Sequence, residues 1–187
     1  MRITLNPFPD KKYEIIYADP PWNYKDKSKS HGGGAESHYN CMTIQEIISL
    51  PVNEISAENS ILFLWVTFPQ MKEGLLTIEE WGFIYKTVGF VWIKKNKKKG
   101  NLFWGMGRWT RSNAEVCLIG TKGKPKRQSA SVHSVIEYPI EKHSKKPDIV
   151  RDKIIELCGD KPRIELFARD NPEDWDVWGN EVEINVS

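Results

Sequence analysis

Short hydrophobic runs alternate along the chain with amphipathic segments, and Gly, Pro, Asn and Asp separate the two kinds of segment. The hydrophobic runs are rich in β-branched and aromatic residues, which is typical of buried strands. The predicted strands are Glu14–Ala18, Ser60–Val66, Phe83–Lys94, Ala114–Gly120 and Arg163–Phe167. The predicted helices are Thr43–Leu50, Pro69–Trp81 and Pro147–Cys158. This alternation indicates an α/β domain with a mostly parallel sheet and helices on both faces.

The predicted helices carry the signals that normally mark helix ends. Thr43 is followed three residues later by Glu46, the pattern of a capping box. The last helix begins at Pro147 and ends before Gly159. Since ligands of an open parallel sheet bind at the carboxyl ends of its strands, the residues that follow the strands are the first candidates for a functional site.

Length and composition limit the classes of protein. The 187 residues, 40% of them hydrophobic, suit a single domain over 1–187 without a separate target-recognition domain. No apolar run approaches the roughly 18 residues that would cross a membrane, and Met1–Asp10 lacks the pattern of a secretion signal. The three cysteines show no C-x-x-C spacing, which argues against a disulfide framework and a zinc site. We therefore expect a cytoplasmic protein that binds neither a membrane nor a metal.

Positive charge is concentrated in the middle of the chain. Residues Lys86–Arg127 contain twelve Lys or Arg and one acid, Glu115, so this stretch carries +11 and the rest carries −9 of the net +2. A basic middle in an otherwise acidic chain is typical of a surface that faces a polyanion such as nucleic acid. A solvated lysine loop that binds nothing is the alternative interpretation.

Aromatic residues interleave with these cations after the third predicted strand. Such a mixture suits a surface that follows a phosphate backbone and stacks on bases. The cations of Lys122–Arg127 are candidates to extend this surface. The candidate nucleic-acid-binding residues are Lys94, Lys95, Lys97, Lys98, Lys99, Trp104, Arg108, Trp109 and Arg111.

A rigid turn follows the first predicted strand. Pro20 and Pro21 stop the strand and fix φ, so Asp19 and Trp22 are held at its carboxyl end. The turn suits chemistry on an aromatic amine, whose lone pair is delocalised into its ring. A carboxylate that accepts an N–H bond pulls the nitrogen towards a nucleophilic geometry, while an indole stacks on the base. An ordinary Pro-Pro turn with Trp22 in the core is the alternative.

Asp19-Pro20-Pro21-Trp22 resembles the D-P-P-[WFY] motif of amino-methyltransferases. Further pieces follow in family order, so the chain resembles the adenine-N6 methyltransferases of nucleic acids. This family includes the catalytic subunit of the eukaryotic messenger-RNA adenosine methyltransferase and its bacterial and phage DNA relatives. The pieces are His38-Tyr39 with Met42, Leu62–Thr67, Trp81-Gly82 to Lys94, Glu115–Gly120, Lys122-Gly123, His143–Asp148, Glu165–Arg169 and Trp178–Glu181.

The resemblance implies a Rossmann-like fold that binds S-adenosylmethionine, with a circularly permuted order of motifs. The catalytic motif lies near the N-terminus and the cofactor elements come last. The chain has no G-x-G-x-x-G motif. We interpret the cluster Gly32–Gly34 as part of a loop over the active site, and a phosphate cradle is the alternative.

The resemblance also assigns roles to residues. Lys146 would meet the methionyl carboxylate, Arg169 the ribose and Phe167 the adenosine, while Tyr39 would lie near the target base. The stretch Arg169–Trp175 is about two residues shorter than in the eukaryotic relative, so Asn171 matches either of two family positions. The implied catalytic residues are Asp19, Pro20, Pro21, Trp22 and Tyr39. The implied cofactor residues are Asp19, Lys146, Phe167, Arg169, Asn171, Asn180 and Glu181.

The implied reaction is transfer of a methyl group from S-adenosylmethionine to the N6 amine of adenine, with DNA favoured over RNA as the substrate. Three alternatives stay open: the same reaction on RNA, an inactive nucleic-acid-binding partner subunit, and methylation of cytosine N4. Inactive paralogues of the family typically lose the Asp-Pro-Pro-Trp motif, which is intact here. The resemblance further implies a homodimer or a heterodimer with a related subunit, encoded by a bacterium or a phage.

Overall fold

The computed structural model describes residues 7–23, 41–107, 109–141, 145–180 and 182. The described strands join one seven-stranded sheet. Their bounds are β1 (Tyr13–Ala18), β2 (Ser56–Val66), β3 (Ile84–Lys95), β4 (Ala114–Lys122), β5 (Val135–Pro139), β6 (Arg163–Leu166) and β7 (Asp176–Trp178). Their order across the sheet is β5-β3-β4-β2-β1-β6-β7.

The sheet is mostly parallel, as the sequence predicts. β1 pairs in parallel with β2 and β6, β6 with β7, and β3 with β5. β4 alone among the described strands runs in the opposite direction, between β2 and β3. All five predicted strands are present, whereas β5 and β7 were not predicted. The α/β fold class is confirmed.

The helices are α1 (Ile44–Ile48), α2 (Val52–Ile55), α3 (Met71–Glu80) and α4 (Ile149–Cys158), and a short 3-10 helix, Phe68–Gln70, leads into α3. The predicted capping box is confirmed at α1. The Thr43 hydroxyl accepts the Glu46 backbone N–H at 3.3 Å, and the Glu46 carboxylate accepts the Thr43 backbone N–H at 2.7 Å. No helix in the described ranges is long and apolar enough to cross a membrane.

The core lies on both faces of the sheet because consecutive strand residues point in opposite directions. On one face, Ile16 and Leu62 pack with Ile78 of α3 in a cluster that also includes α1. On the other face, Phe63 packs in a cluster with Ile154 of α4. Helices therefore cover both faces, as predicted.

The topology points to one position for a ligand. The chain leaves β1 for β2 on one side, whereas it leaves the adjacent β6 for β7 on the other side. Where the connections from two adjacent parallel strands lead in opposite directions, a crevice opens between their carboxyl ends. Asp19 directly follows β1, and Phe167 directly follows β6, so both lie at this crevice.

Candidate active site

A cleft lies at the carboxyl ends of β1 and β6. Its empty volume, which includes the open solvent at its mouth, is about 360 Å³. Four of the residues predicted to bind the cofactor line this cleft, namely Asp19, Lys146, Phe167 and Arg169. The lining residues are Tyr17, Asp19, Lys145, Lys146, Arg151, Glu165, Phe167, Arg169 and Asp170.

A chain of alternating charges runs from the cleft along the sheet. The Lys146 ammonium donates to both carboxylate oxygens of Asp19, at 2.8 and 2.7 Å. It also lies 3.3 Å from Oε2 of Glu115. The other oxygen of Glu115, Oε1, accepts the Lys94 ammonium at 2.5 Å. The order is therefore Asp19, Lys146, Glu115, Lys94, with the two lysines balancing the two carboxylates.

The surroundings shift the pKa of each of the three central groups. Burial raises the pKa of Asp19, and the adjacent Lys146 charge limits the rise. Burial alone would raise the pKa of Glu115, but Lys146 and Lys94 outweigh it and lower that pKa. Burial opposes the charged form of Lys146, yet Asp19 and Glu115 raise its pKa above the ordinary value. Lys146 is therefore a stable cation at neutral pH.

The ammonium groups of Lys146 and Lys94 each lie over the ring of a tryptophan. The Lys146 Nζ lies 5.6 Å from the centroid of the Trp65 ring, and the Lys94 Nζ lies 5.0 Å from that of Trp92. The Trp65 indole N–H donates to the Tyr17 hydroxyl at 2.7 Å, which fixes the ring. Because the quadrupole of an indole ring attracts a cation over its face, these two rings stabilise the charged form of the lysines.

Arg151 of α4 organises the other side of the cleft. Its guanidinium donates to both oxygens of Glu165 at 2.6 and 3.1 Å. It also donates to Asp170 at 2.9 Å and to Asp148 at 2.7 Å. Burial raises the pKa of Glu165, and the Arg151 charge opposes this rise. Within the described residues, no group of three or more His, Cys, Asp and Glu could hold a metal ion.

The turn after β6 is tightly built. Phe167 adopts a φ of 62°, which is unusual for a bulky residue and is held here by its surroundings. Its ring meets Trp178 edge-on, with centroids 5.5 Å apart. A Cβ on Gly179 would lie 2.5 Å from the Ala168 carbonyl oxygen, so only glycine fits at this contact. Phe167 thus lines the cleft, and Trp178 and Gly179 pack against the turn that holds it.

The structure does not bring every predicted cofactor residue into the cleft. Asn171 and Asn180 are exposed and are not among the described residues that line it. Their roles stay predictions. Tyr39, Glu181 and the cluster Gly32–Gly34 lie outside the described residues.

Trp22 does not present its ring to a base. Its side chain is only 6% exposed and packs in the core. The indole N–H donates to the Trp65 carbonyl oxygen at 3.0 Å, which satisfies its polar atom inside the protein. The expected stacking role of Trp22 therefore does not fit this arrangement, and the alternative of a core tryptophan does. The Pro21 carbonyl oxygen accepts the Met42 backbone N–H at 2.9 Å, so hydrogen bonds from both Pro21 and Trp22 hold the turn in place.

The sequence pattern of the MT-A70 family matches residues 13–181. The chain belongs to the MT-A70 family. It is 40% identical over 195 residues to the type II methyltransferase M.MunI of a Mycoplasma species, and this alignment covers 95% of the chain and 81% of that protein. It is 30% identical over 179 residues to METTL3, the N(6)-adenosine-methyltransferase catalytic subunit of Homo sapiens. That alignment covers 92% of the chain but 28% of the human protein.

S-adenosylmethionine is the methyl donor that the family resemblance implies, and the side chains of the cleft can be compared with its chemical groups. This cofactor carries a sulfonium cation, a carboxylate and an adenine ring. Asp19 supplies an anion, Lys146 and Arg169 supply cations, and Phe167 supplies an aromatic ring at the same cleft. The residues present therefore fit the cofactor.

Residues 96–113, which we call the basic arm, connect β3 to β4 at the carboxyl edge of the sheet. Lys97, Lys98 and Lys99 are exposed at its first turn. Trp104 and Trp109 are 72% and 95% exposed. These residues lie where the prediction of a nucleic-acid surface requires them, and that role stays a prediction. Arg108 lies outside the described residues.

The basic arm is held together by contacts within it. The Arg111 guanidinium lies 4.8 Å from the centroid of the Trp104 ring. Gly105 packs so closely on Ser112, and Gly107 on Thr110, that a Cβ on either glycine would overlap backbone atoms. The two halves of the arm therefore meet with no side chain between them.

Three parts of the predicted basic surface lie elsewhere. Lys94 belongs to the buried charge chain, because Glu115 on the neighbouring strand lies directly beside it. Lys95 pairs with Glu137 of β5 at 3.0 Å. The cations of Lys122–Arg127 follow the far end of β4, and since β4 runs antiparallel they lie at the opposite edge of the sheet.

Sequence reasoning assigned no role to Glu115, Arg151 or Glu165. One feature of the sequence could have identified Glu115. It is the sole acid in Lys86–Arg127, a stretch with twelve cations, and it lies inside an apolar strand. Among the partners of Arg151, Asp148 is only three residues away, whereas Glu165 and Asp170 lie on and after β6 and share no local pattern with it.

Proposed function

We propose that this chain transfers the methyl group of S-adenosylmethionine to the N6 amine of adenine in nucleic acid, with DNA favoured over RNA. The observation that carries the proposal is the position of Asp19, at the carboxyl end of β1 and in one cleft with Lys146, Phe167 and Arg169. The 40% identity to M.MunI over 81% of that protein favours DNA. The 30%-identical METTL3 is an N(6)-adenosine-methyltransferase catalytic subunit, which favours the N6 amine of adenine as the target.

Asp19 prepares the amine for attack. The carboxylate accepts one N–H of the adenine amine and pulls the nitrogen towards a tetrahedral geometry, while the rigid Pro-Pro turn keeps the carboxylate in place. When bound, the cofactor would supply an electrophilic methyl group on a sulfonium. The N–C bond would form as the S–C bond breaks, S-adenosylhomocysteine would leave, and the methylated amine would lose its extra proton to water. Because Asp19 is an anion in the same cleft, its charge also favours the sulfonium.

The remaining cleft residues hold the cofactor. Lys146 binds the methionyl carboxylate, Arg169 bonds the ribose, and the Phe167 ring lies against the adenosine. Arg151 keeps Glu165 and Asp170 in position at 2.6 and 2.9 Å. This assignment is supported by the shared cleft, and the roles of Asn171 and Asn180 follow from the family resemblance alone.

The basic arm engages the nucleic acid. Lys97, Lys98 and Lys99 neutralise phosphates, and Trp104 and Trp109 stack on bases. In a duplex the adenine N6 takes part in base pairing, so the target base must leave the stack before it reaches Asp19. The same exposed indoles also support a second role, contact with a related subunit or a second copy.

We place the protein in the cytoplasm of a bacterium or of a phage-infected cell.

A transfer assay with tritiated S-adenosylmethionine tests the proposal on unmethylated DNA and RNA, with nucleoside analysis of the product. We expect label in N6-methyladenine of DNA, loss of at least about 100-fold of the rate in Asp19→Ala, and no loss in the exposed control Asp10→Ala. Label in N4-methylcytosine, or on RNA alone, would contradict the stated substrate. Nucleic-acid binding without any label would indicate an inactive partner subunit, and full activity of Asp19→Ala would contradict the role of Asp19.

A further inference from the structure

The hydrogen-bonding capacity of Lys146 is fully used within the protein. An ammonium has three N–H donors and no acceptor. Two of these reach the two oxygens of Asp19, at 2.8 and 2.7 Å, and the third faces Glu115 at 3.3 Å. Each oxygen of Asp19 accepts one of these bonds and keeps a second lone pair. In this arrangement Lys146 has no free donor, and Asp19 is held by the lysine.

Methyl transfer requires the pair of Asp19 and Lys146 to loosen, an argument that rests on the proposed function. Lys146 must free a donor for the carboxylate of the cofactor, and Asp19 must turn a lone pair towards the target amine. A buried lysine that loses its only anionic partner is strongly disfavoured. Lys146 therefore needs a second anion that stays in contact throughout the exchange.

Glu115 is placed to be that anion. We infer that Glu115 is a positioning residue for methyl transfer, which retains Lys146 while Asp19 exchanges the lysine for the target amine. Its two oxygens have different partners. Oε1 accepts an N–H of Lys94 at 2.5 Å, and Oε2 lies 3.3 Å from the Lys146 ammonium. Glu115 is on β4 in the centre of the sheet, directly opposite Trp92 of β3. It therefore keeps its position when the residues of the cleft loops move.

The charges around Asp19 define what removal of Glu115 must do. Lys146 and Arg169 lower the pKa of Asp19, whereas Glu115 raises it. Asp19 also faces Tyr17, Cys117 and Glu165, and its charge raises the pKa of each of these groups. Without the charge of Glu115, Lys146 has Asp19 as its one anionic partner and holds it more tightly. The pKa of Asp19 then falls, while the release of Asp19 to the amine becomes harder.

Glu115→Gln tests the inference because it keeps the size of the side chain and removes the charge. We expect kcat/KM on DNA to fall about ten-fold on its pH-independent plateau, and the acid limb of its pH profile to move down by roughly one pH unit. A purely structural role would lower the plateau and leave the acid limb in place, which would overturn the inference. Glu115→Asp keeps the charge, so its acid limb should stay near that of the unaltered protein.

A matched control is available in the neighbouring pair. Glu137 contacts Lys95 at 3.0 Å and is 61% exposed. Glu137→Gln therefore removes a carboxylate beside a lysine without touching the charge chain. Its acid limb should not move; a shift equal to that of Glu115→Gln would mean that any lost carboxylate produces the effect, and would overturn the inference.

A second measurement separates this inference from the proposed function. The carboxyl carbon of Asp19 is followed by NMR during a pH titration of ¹³C-labelled protein, with Asp19→Asn used to assign the signal. A lower pKa of Asp19 in Glu115→Gln supports the charge chain even if no nucleic acid is methylated, in which case the proposed function fails alone. An unchanged pKa of Asp19 in an active enzyme overturns the role of Glu115 alone.

Discussion

Replacing Lys146 with Met is the most informative single change for the stability of this fold. The side chains of Lys146, Asp19 and Glu115 are only 12%, 19% and 14% exposed. Met fills a similar volume but leaves Asp19 buried without its main cation, while Glu115 keeps Lys94. Removing one partner of a buried ion pair costs about 3–5 kcal/mol. For a chain of this length each kcal/mol lowers Tm by about 2–4 °C, so we expect a fall of about 10 °C at neutral pH.

The pH dependence of this loss distinguishes electrostatics from packing. In the unaltered protein the pKa of Lys146 is raised, so its contribution is present below the ordinary lysine pKa and is lost as pH rises through the folded value. In Lys146→Met the pKa of Asp19 rises further above its unfolded value, and ionisation of that buried carboxyl destabilises the fold. The variant should therefore recover part of its deficit as pH falls from about 7.5 to about 5.

Thermal unfolding followed by circular dichroism at both pH values measures the effect. Lys95→Met is the matched control, because Lys95 pairs with Glu137, which is 61% exposed. Such surface pairs contribute about 0–1 kcal/mol, so this variant should change Tm by at most a few degrees. A loss below about 2 °C in Lys146→Met, or an equal loss at both pH values, would refute the reasoning.

Two further predictions concern the ligands. Gly179→Ala places a Cβ 2.5 Å from the Ala168 carbonyl oxygen, so we expect about ten-fold weaker binding of S-adenosylmethionine by calorimetric titration; unchanged affinity would mean that the turn is not part of the cofactor site. Replacing Lys97, Lys98 and Lys99 together with Gln should reduce the slope of log affinity against log salt by up to about 2.7 on duplex DNA, measured by fluorescence anisotropy. An unaltered slope would remove the turn of the basic arm from the binding surface.

The long elements of the fold could be predicted because their local patterns are strong. β2 and β3 contain continuous apolar and β-branched runs, and α4 is bounded by Pro147 and Gly159. β7 has only three residues and β5 ends at Pro139, so neither offers a pattern long enough to separate a strand from a loop. Both strands owe their pairing to neighbours that are distant in the sequence.

The site could be predicted only in part, for a related reason. Asp19 and Phe167 follow strands whose carboxyl ends meet, and the rule for parallel sheets finds them. The pairing of Lys146 with Asp19 joins positions 127 residues apart, and nothing local encodes it. Trp22 shows a different limit of prediction from sequence. The motif identifies the residue, but the direction of its ring into the core depends on the packing around the turn, which the motif does not encode.

The direction of β4 divides the positive charge of the chain between two edges of the sheet. β4 has nine residues, and the eight steps between its ends span about 27 Å at 3.4 Å per residue. This distance exceeds the Debye length of about 8 Å at physiological ionic strength, so the basic arm and the cations of Lys122–Arg127 act as two electrostatically independent groups. The attraction of a polyanion to either edge therefore reflects only the share of the charge surplus that lies at that edge.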